Sequence, residues 1–210
     1  MYTPKHFDED RADVMRALIR AHPLATLVTL GAEGLDANHI PLQIVPGPGS
    51  HGSLVGHIAR ANPMLDSLDH GVDVLAVFHG PQAYISPSWY ATKTETGKVV
   101  PTWNYAVVHV SGKLLVRDDP AWIRARIESL TQQMEEQFEH PWTVDDAPPD
   151  FIDRLLGAVV GIEIPITTLA GKWKVSQNQP AHNRHGVSAA LDRLDSAGGA
   201  HMAQLVRERG

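Results

Sequence analysis

The spacing of apolar residues changes along the first part of the chain from a helical period to a strand period. Between Asp8 and His22 apolar residues recur every three or four positions, which predicts an amphipathic helix that ends before Pro23. After that the period falls to two, in ATLVTL and again in DANHIPLQI. This alternation predicts a strand pair joined by a GAEG turn at residues 31–34, with Pro41 restricting the second strand to an edge or a bulge.

Further strand patterns follow as far as residue 117. They are SLVGHIA, VDVLAVFHG, AYIS and the segment 99–117, which is long enough for two strands or for one strongly bent strand. Roughly six strands with few helical segments between them favour an antiparallel sheet over βαβ units. A sheet of this size commonly closes into a barrel, which removes its edges. We therefore expect an α+β fold built on a barrel-like antiparallel sheet.

The second half of the chain returns to helical spacing. Asp119 and Pro120 are typical of a helix start, and a shorter helix is expected from Asp150 through Leu156. GAVVGIEIPI reads as a strand that completes the sheet, and GVSAALDRL and HMAQLVRER as helices. We expect one domain over residues 1–210, with an N-terminal helix, inserted helices at about 119–156 and a helical C-terminus. The predicted buried stripe of the first inserted helix, which runs to His140-Pro141, is Ile123, Ile127, Leu130, Met134 and Phe138.

Composition narrows the function classes. The chain has 210 residues, no Cys, and 18 Lys and Arg against 24 Asp and Glu, for a net charge of −6. The absence of Cys excludes disulfides and thiolate chemistry. No apolar run reaches the roughly 18 residues of a membrane span, and the acidic start does not resemble a signal peptide, so we expect a cytoplasmic protein with no membrane partner. The negative charge weighs against direct DNA binding.

Two short motifs have structural rather than chemical interpretations. A GxGxxG pattern at Gly47, Gly49 and Gly52 precedes a strand rather than a helix, which favours a hairpin loop over a dinucleotide site. The 12 histidines are scattered, and only His182 and His185 lie close together. HNRH therefore predicts a solvated turn, and we expect no metal site.

The segment GHIARANPMLDSL, residues 56–68, is the first candidate binding site. Asn62 and Pro63 are typical of a helix N-terminus, and Arg60 and His57 lie just before it. A guanidinium beside the free N–H groups of a helix start can hold a phosphate group. An equally good interpretation is a capped structural helix with an exposed arginine.

Aromatic and polar residues gather in three later segments. YISPSWYATK (84–93) and VVPTWNYAVV (99–108) favour a surface that holds a flat ring or packs against another subunit, with an aromatic core as the alternative. KWKVSQNQP (172–180) is expected to follow the last strand, as a ligand rim or an exposed loop.

Read in order, the strings MYTPKHF, ANHIPL, GHIARANP, FHGPQAYISPSWY, VPTWNY and KVSQNQ resemble the PaiB family, FMN-binding negative transcriptional regulators linked to sporulation and protease synthesis. The resemblance covers nearly the whole chain. It implies a flavin reductase-like or pyridoxamine oxidase-like split β-barrel that forms a homodimer with FMN sites between subunits. One departure is Asn183, which stands where the family commonly has an acidic residue after SQN.

The resemblance also implies roles for particular residues. His57, Arg60 and Asn62 would hold the flavin phosphate, and Trp89 or Trp103 would pack against the isoalloxazine. The remaining cofactor-binding residues that it implies are Ser86, Ser88, Lys93, Asn104, Ser176, Gln177 and Asn178.

Three functions are compatible with this reading. The first is an FMN-binding, PaiB-like negative regulator of transcription that acts indirectly, because the charge of −6 disfavours DNA contact. The second is a flavin-dependent oxidoreductase of the split-barrel class, although the sequence identifies no catalytic residue. The third is a dimeric interaction module without flavin.

Overall fold

The computed structural model describes residues 1–31, 34–67, 71–194 and 196–209. Its strands are β1 (Asp8–Glu9), β2 (Leu24–Gly31), β3 (Gly34–Pro41), β4 (Gln43–Val45), β5 (Ser53–Ala59), β6 (Val72–Ile85), β7 (Thr102–Arg117) and β8 (Val159–Lys174). Its α-helices are α1 (Ala12–Ala21), α2 (Thr92–Thr96), α3 (Pro120–Glu135), α4 (Pro149–Gly157), α5 (Ala181–Asp192) and α6 (Ala197–Glu208). Short 3-10 turns lie at Lys5–Phe7, Pro63–Ser67, Pro87–Trp89 and Val144–Asp146. Within these residues, no helix has the length and apolar character needed to cross a membrane.

The strands form a sheet in the order β3-β2-β6-β7-β8-β5-β4, and β1 pairs with β8. Every pair whose register is described is antiparallel. The antiparallel sheet expected from the sequence is therefore confirmed.

The predicted hairpin of β2 and β3 is confirmed, but its second strand is shorter than DANHIPLQI, since β3 ends at Pro41 and residues 43–45 form β4, which pairs with β5. The register of the hairpin runs from Leu24 opposite Pro41 to Gly31 opposite Gly34. β3 is the last strand at one end of the sheet order, so Pro41, which cannot donate a ladder hydrogen bond, stands on an edge strand. Residues 32 and 33 of the predicted GAEG turn lie outside the described residues.

The glycine-rich GxGxxG segment is the loop between β4 and β5, as predicted. A Cβ at Gly52, whose φ is +81°, would lie 2.3 Å from the carbonyl oxygen of Val45. This glycine therefore allows the tight return that pairs the two strands. A strand and not a helix follows it, so the loop has no dinucleotide-binding geometry.

Other strand predictions were wrong in their limits. VDVLAVFHG and AYIS form one strand, β6, which continues through Gly80. A Cβ there would meet Leu18 Cδ1 at 2.7 Å and the Ala106 carbonyl oxygen at 3.2 Å, so glycine lets the strand pass close to its neighbours. Residues 102–117 form one strand, which is one of the two alternatives that the sequence left open for 99–117. β8 extends to Lys174, so residues 172–174 belong to the strand and not to the loop expected after it.

The first helix begins later than predicted. Asp8 and Glu9 pair as a strand with Lys172 and Gly171, and α1 starts at Ala12. The Glu9 carboxylate accepts the backbone N–H of Arg11 at 3.0 Å. Glu9 therefore fixes the backbone just before α1 without being part of the helix.

The start of α3 was predicted correctly and its buried stripe was not. Asp119 caps the helix by accepting the N–H of Ala121 at 2.9 Å. Of the predicted stripe only Ile123 is fully buried, and Phe138 is 55% exposed beyond the helix end. The helix ends at Glu135, whose carboxylate accepts the N–H of Trp142 at 2.9 Å as the chain folds back.

The chain divides into two compact units. Unit 1 comprises Met1–Leu18, His79–Val108 and Ala170–Gly210, and unit 2 comprises Ile19–Phe78 and His109–Leu169. The organisation as a single domain stays a prediction. Fully buried residues of unit 1 include Ile85, Val175, Val187, Leu191, Met202 and Ala203. Those of unit 2 include Leu27, Leu42, Leu54, Phe78, Ile162 and Ile164.

Candidate functional site

The segment 57–62 lies in unit 2, at the end of β5. Asn62 caps the following turn as predicted, since its Oδ1 accepts the N–H of Met64 at 2.9 Å. Its Nδ2 donates to Asn38 Oδ1 at 3.0 Å. The turn that it caps, Pro63–Ser67, is a single 3-10 segment of five residues rather than an α-helix.

Arg60 is already engaged within the protein. Its guanidinium donates to both carboxylate oxygens of Asp118, at 2.9 and 2.6 Å. It also donates to the carbonyl oxygens of Gly157 and Val159, at 3.0 and 3.1 Å. The hydrogen bond from Arg60 lowers the pKa of Asp118, so the pair stays ionised at neutral pH. A phosphate that binds Arg60 would have to compete with this carboxylate.

His57 faces different neighbours. Its imidazole lines an apolar cavity with residues of α3 and α4, and burial lowers its pKa. His57, Arg60 and Asn62 therefore contact separate groups, and the described hydrogen bonds do not link any two of them to each other. Their shared role at a phosphate stays a prediction.

The other nine predicted site residues lie in unit 1, where aromatic and lysine side chains meet. We define the lysine–aromatic cluster as Tyr84, Trp103, Tyr105, Lys172 and Lys174. The rings of Tyr84 and Trp103 meet edge to face with centroids 6.1 Å apart. The two side chains are 48% and 54% exposed. Both rings are therefore accessible to a ligand.

The lysines give this cluster positive charge. Lys172 and Lys174 lie two residues apart in β8 and so point to one face, while Trp173 between them is buried. Lys172 Nζ lies 5.4 Å from the centre of the Tyr105 ring and donates to the carbonyl oxygen of Tyr2 at 3.0 Å. This cation–π contact accounts for a lysine that is only 9% exposed.

Lys174 is tied to the start of β7. Its Nζ donates to the carbonyl oxygen of Trp103 at 2.8 Å and to the hydroxyl of Thr102. Burial lowers the pKa of Lys174; Tyr105 partly opposes this effect, and the charge of Lys172 adds to it. The described ion pairs include neither lysine, and Asp8, opposite Lys172 in the register, forms none of them. The two ammonium groups are thus close together without a carboxylate partner among the described residues.

Asn104 and Ser176 form a buried link beside this cluster. They are 1% and 3% exposed, and Asn104 Nδ2 donates to Ser176 Oγ at 2.9 Å. Ser176 has a φ of +67° and is the only described residue other than glycine with a positive φ. The link fixes the chain just after β8, so both residues position the cluster rather than face a ligand.

The segment 86–93 packs against α5. Ser86 and Ser88 are hydrogen-bonded to each other at 2.5 Å at the start of the 3-10 turn Pro87–Trp89. A Cβ at Gly186 would lie 2.2 Å from the carbonyl oxygen of Trp89, so only glycine allows this approach. Lys93 is exposed on α2.

The predicted rim after β8 is only partly accessible. Gln177 Oε1 accepts the N–H of Val175 at 2.7 Å, and its Nε2 donates to the carbonyl oxygen of Trp173. Its amide therefore closes the turn. Asn178 is exposed and free to meet a ligand.

Asn183 explains the departure from the family pattern. It is 2% exposed, and its Oδ1 accepts the N–H of Thr92 at 3.1 Å while its Nδ2 donates to Thr92 Oγ1 at 3.0 Å. An amide can both accept and donate here, whereas a carboxylate only accepts. The predicted turn at HNRH was wrong, since residues 182–185 belong to α5. The described residues contain no group of three or more potential metal ligands.

Sequence reasoning placed Lys172 and Lys174 in a loop and left them out of the proposed cofactor contacts. The signal that could have found them is the alternation Lys-Trp-Lys, which is typical of a strand with one buried and one polar face.

Comparison with known proteins identifies the family. Residues 1–168 match the family model described as "Putative FMN-binding domain". The chain belongs to this family. The family's description supports FMN as a cofactor of this protein.

Full-length relatives support the same assignment. The chain is 31% identical over 214 residues to the protease synthase and sporulation protein PAI 2 of Bacillus subtilis, covering 100% of this chain and 98% of the relative. It is 34% identical over 245 residues to an uncharacterized protein, AN0679, of Emericella nidulans, with the same coverage. The resemblance to the PaiB family is therefore confirmed.

Solved structures identify the fold. A FAD and heme binding protein of Mycobacterium smegmatis superposes with a TM-score of 0.57 at 15% identity, covering 80% of this chain and 73% of the other. The protein Rv2991 of Mycobacterium tuberculosis gives 0.60 at 12% identity, covering 86% and 94%. The expected fold class, an α+β split β-barrel with added helices, is confirmed.

Proposed function

We propose that this FMN-binding, PaiB-like protein holds its flavin at the lysine–aromatic cluster, forms a homodimer, and regulates transcription indirectly. The observation that carries the location is the pair of ammonium groups, Lys172 and Lys174, beside exposed aromatic rings, for which the described part of the chain provides no carboxylate partner. The other four lysines of the chain are exposed. Positive charge that is buried at Lys172 and half-buried at Lys174, unmatched within the described residues, favours an anionic ligand.

The chemistry of the cluster fits FMN. Trp103 and Tyr84 offer aromatic surface for the isoalloxazine, and the lysines offer charge for the phosphate. A phosphate here would also offset the effects that lower the pKa of Lys174. Ser86, Ser88, Trp89, Lys93 and Asn178 are proposed as further contacts, with Asn104, Ser176 and Gln177 as positioning residues. Bound FMN supplies redox chemistry, and the chain's own residues bind and orient it.

The segment 57–62 fits a phosphate less well. Arg60 is neutralised by Asp118, the Asn62 amide is bonded to Asn38, and His57 lines an apolar cavity. The sequence assigns the flavin phosphate to these three residues, whereas we assign it to the lysine–aromatic cluster. Because the two assignments predict different effects of substitution, one experiment can distinguish them.

FMN and riboflavin titrations test the location, because riboflavin lacks the phosphate. Lys174→Met is expected to weaken FMN binding about tenfold or more, the equivalent of one charge-assisted hydrogen bond, and to leave riboflavin binding unchanged. Lys113→Met, at an exposed lysine paired with Asp73, is the control. Loss of FMN binding in Arg60→Met with Lys174→Met unaffected would place the phosphate at 57–62 and overturn the lysine site.

The homodimer is proposed to involve the β2–β3 hairpin of unit 2. Leu30 and Leu35 are opposite one another in the register and are 65% and 78% exposed. An exposed leucine on the edge strand β3, opposite an exposed leucine on the neighbouring strand β2, favours association with a second copy. Light scattering after gel filtration is expected to give a dimer for wild type and a monomer for Leu35→Glu. A monomeric wild type would overturn this part of the proposal.

The regulatory role rests on the similarity to PAI 2 of Bacillus subtilis, whose name refers to protease synthesis and sporulation. The net charge of −6 supports an indirect route through a partner protein or metabolite in the cytoplasm. Tight, salt-dependent gel shifts by the purified protein at physiological ionic strength would overturn the indirect route. Sustained oxidation of reduced nicotinamide by the FMN-loaded protein would instead favour an oxidoreductase.

A further inference from the structure

Unit 2 contains an apolar cavity of about 320 Å³ beside β5. Residues of α3, α4, the segment 142–144 and the start of β8 line it. The side chains that define its character are Ile127, Trp142, Val144, Ile152, Leu156 and Val159. An engineered apolar cavity of about 150 Å³ holds benzene, so this volume suits a bicyclic molecule.

Two polar side chains also line the cavity, and they differ in what they offer. Arg124 donates to Glu128 and Asp145, at 2.7 Å each, so its charge is matched. The imidazole of His57 has no hydrogen-bond partner among the described residues, and burial lowers its pKa, which keeps it neutral at pH 7. Among the described residues that line the cavity, His57 is therefore the neutral side chain that can accept a hydrogen bond, and the one cation there is already paired.

We propose that this cavity is a second ligand site, which binds a neutral, mainly aromatic molecule of about two rings with one hydroxyl or N–H group that donates to His57. An anion is disfavoured, because it would lose hydration in an apolar cavity whose described lining has Arg124 as its cation, already paired with Glu128 and Asp145. The apolar walls supply the affinity and the imidazole supplies the selectivity. This site is independent of the flavin site proposed above.

Calorimetric titration with 2-naphthol and naphthalene tests the proposal, since the two probes differ only by the hydroxyl. Wild type is expected to bind 2-naphthol about 3- to 10-fold more tightly than naphthalene, the effect of one net hydrogen bond. His57→Phe keeps an aromatic ring of similar size and is expected to bind both probes equally.

Ala158→Phe tests the location of binding. Ala158 is an exposed residue on the cavity wall, so a larger side chain there is expected to close the cavity without entering the core. Both probes should then bind at least tenfold more weakly, whereas Ala200→Phe, at an exposed position of α6, should match wild type. Failure of wild type to bind 2-naphthol, equal binding of both probes, or unchanged binding by Ala158→Phe would overturn the proposal.

Discussion

The buried amide of Asn104 donates a hydrogen bond to the hydroxyl of Ser176 at 2.9 Å, and Ser176 holds a φ of +67°. A left-handed backbone costs a residue with a Cβ about 1–2 kcal/mol. The link to Asn104 offsets this cost at the point where the chain leaves β8.

Two substitutions at Ser176 distinguish the contribution of its hydroxyl to stability from that of its backbone conformation. Ser176→Ala keeps the Cβ and leaves the Asn104 amide unpaired, so it should lower the free energy of unfolding by about 1–3 kcal/mol. Ser176→Gly loses the same hydrogen bond but relieves the backbone, so it should be about 1 kcal/mol more stable than the alanine variant. Urea unfolding measures both. Equal stability of the two variants would mean that the positive φ carries no strain.

Gly186 and Gly198 form a matched pair of helical glycines. A Cβ at Gly186 meets the carbonyl oxygen of Trp89 at 2.2 Å, and one at Gly198 has no neighbour within 4 Å. Gly186→Ala should lower the free energy of unfolding by about 1–3 kcal/mol, because backbone must move. Gly198→Ala should raise it by about 0.5–1 kcal/mol. A Gly186→Ala variant as stable as wild type would contradict the packing of α5 beneath Trp89.

Glu9 makes part of the stability dependent on pH. Burial alone raises the pKa of Glu9, but hydrogen bonds from Arg11 and Arg209 outweigh it and lower the pKa from 4.5 to about 2. The stabilisation by the carboxylate is therefore complete above pH 4.5 and is lost as pH falls toward 2.

The stability difference between wild type and Glu9→Gln is thus expected to be constant from neutral pH down to about 5 and to shrink below that. Urea unfolding over this pH range measures it. Glu95→Gln, at an exposed helical position, should show no comparable change. A difference that stays constant down to pH 2 would show that Glu9 is not the titrating group.

Trp103 is expected to quench the fluorescence of bound FMN, because a stacked indole transfers an electron to the excited flavin. Trp103→Leu should raise the emission of bound FMN severalfold. Phe138→Leu removes an aromatic ring of similar exposure, 55% against 54%, and should leave the emission unchanged. Quenching that persists in Trp103→Leu would move the flavin away from this ring.

The sequence was sufficient where local chemistry decides the structure. The period of two in β2 and β3 predicted the hairpin, and the Asp119-Pro120 pair predicted the start of α3. The family resemblance correctly supplied the FMN-binding domain and the split-barrel fold.

The sequence was insufficient where contacts between residues far apart along the chain determine the structure. The engagement of Arg60 depends on Asp118, 58 residues later, and the exposure of Phe138 depends on a return of the chain that helical periodicity does not encode. The limits of β6 depend on the close approach of Gly80 to Leu18 and to the carbonyl oxygen of Ala106. In each case the spacing of residues along the chain contains no information about the partner.

The ion pair between Glu9 and Arg209 has a consequence for the order in which the protein is made. The two residues are 200 positions apart, so at 5–20 residues per second a ribosome adds Arg209 about 10–40 s after Glu9. Of the two guanidinium partners that Glu9 has in the folded protein, only Arg11 is present during that interval, and β8, to which β1 pairs, is added late as well. β1 is thus synthesised well before β8 and Arg209, and it gains its folded-state partners only after both have been added.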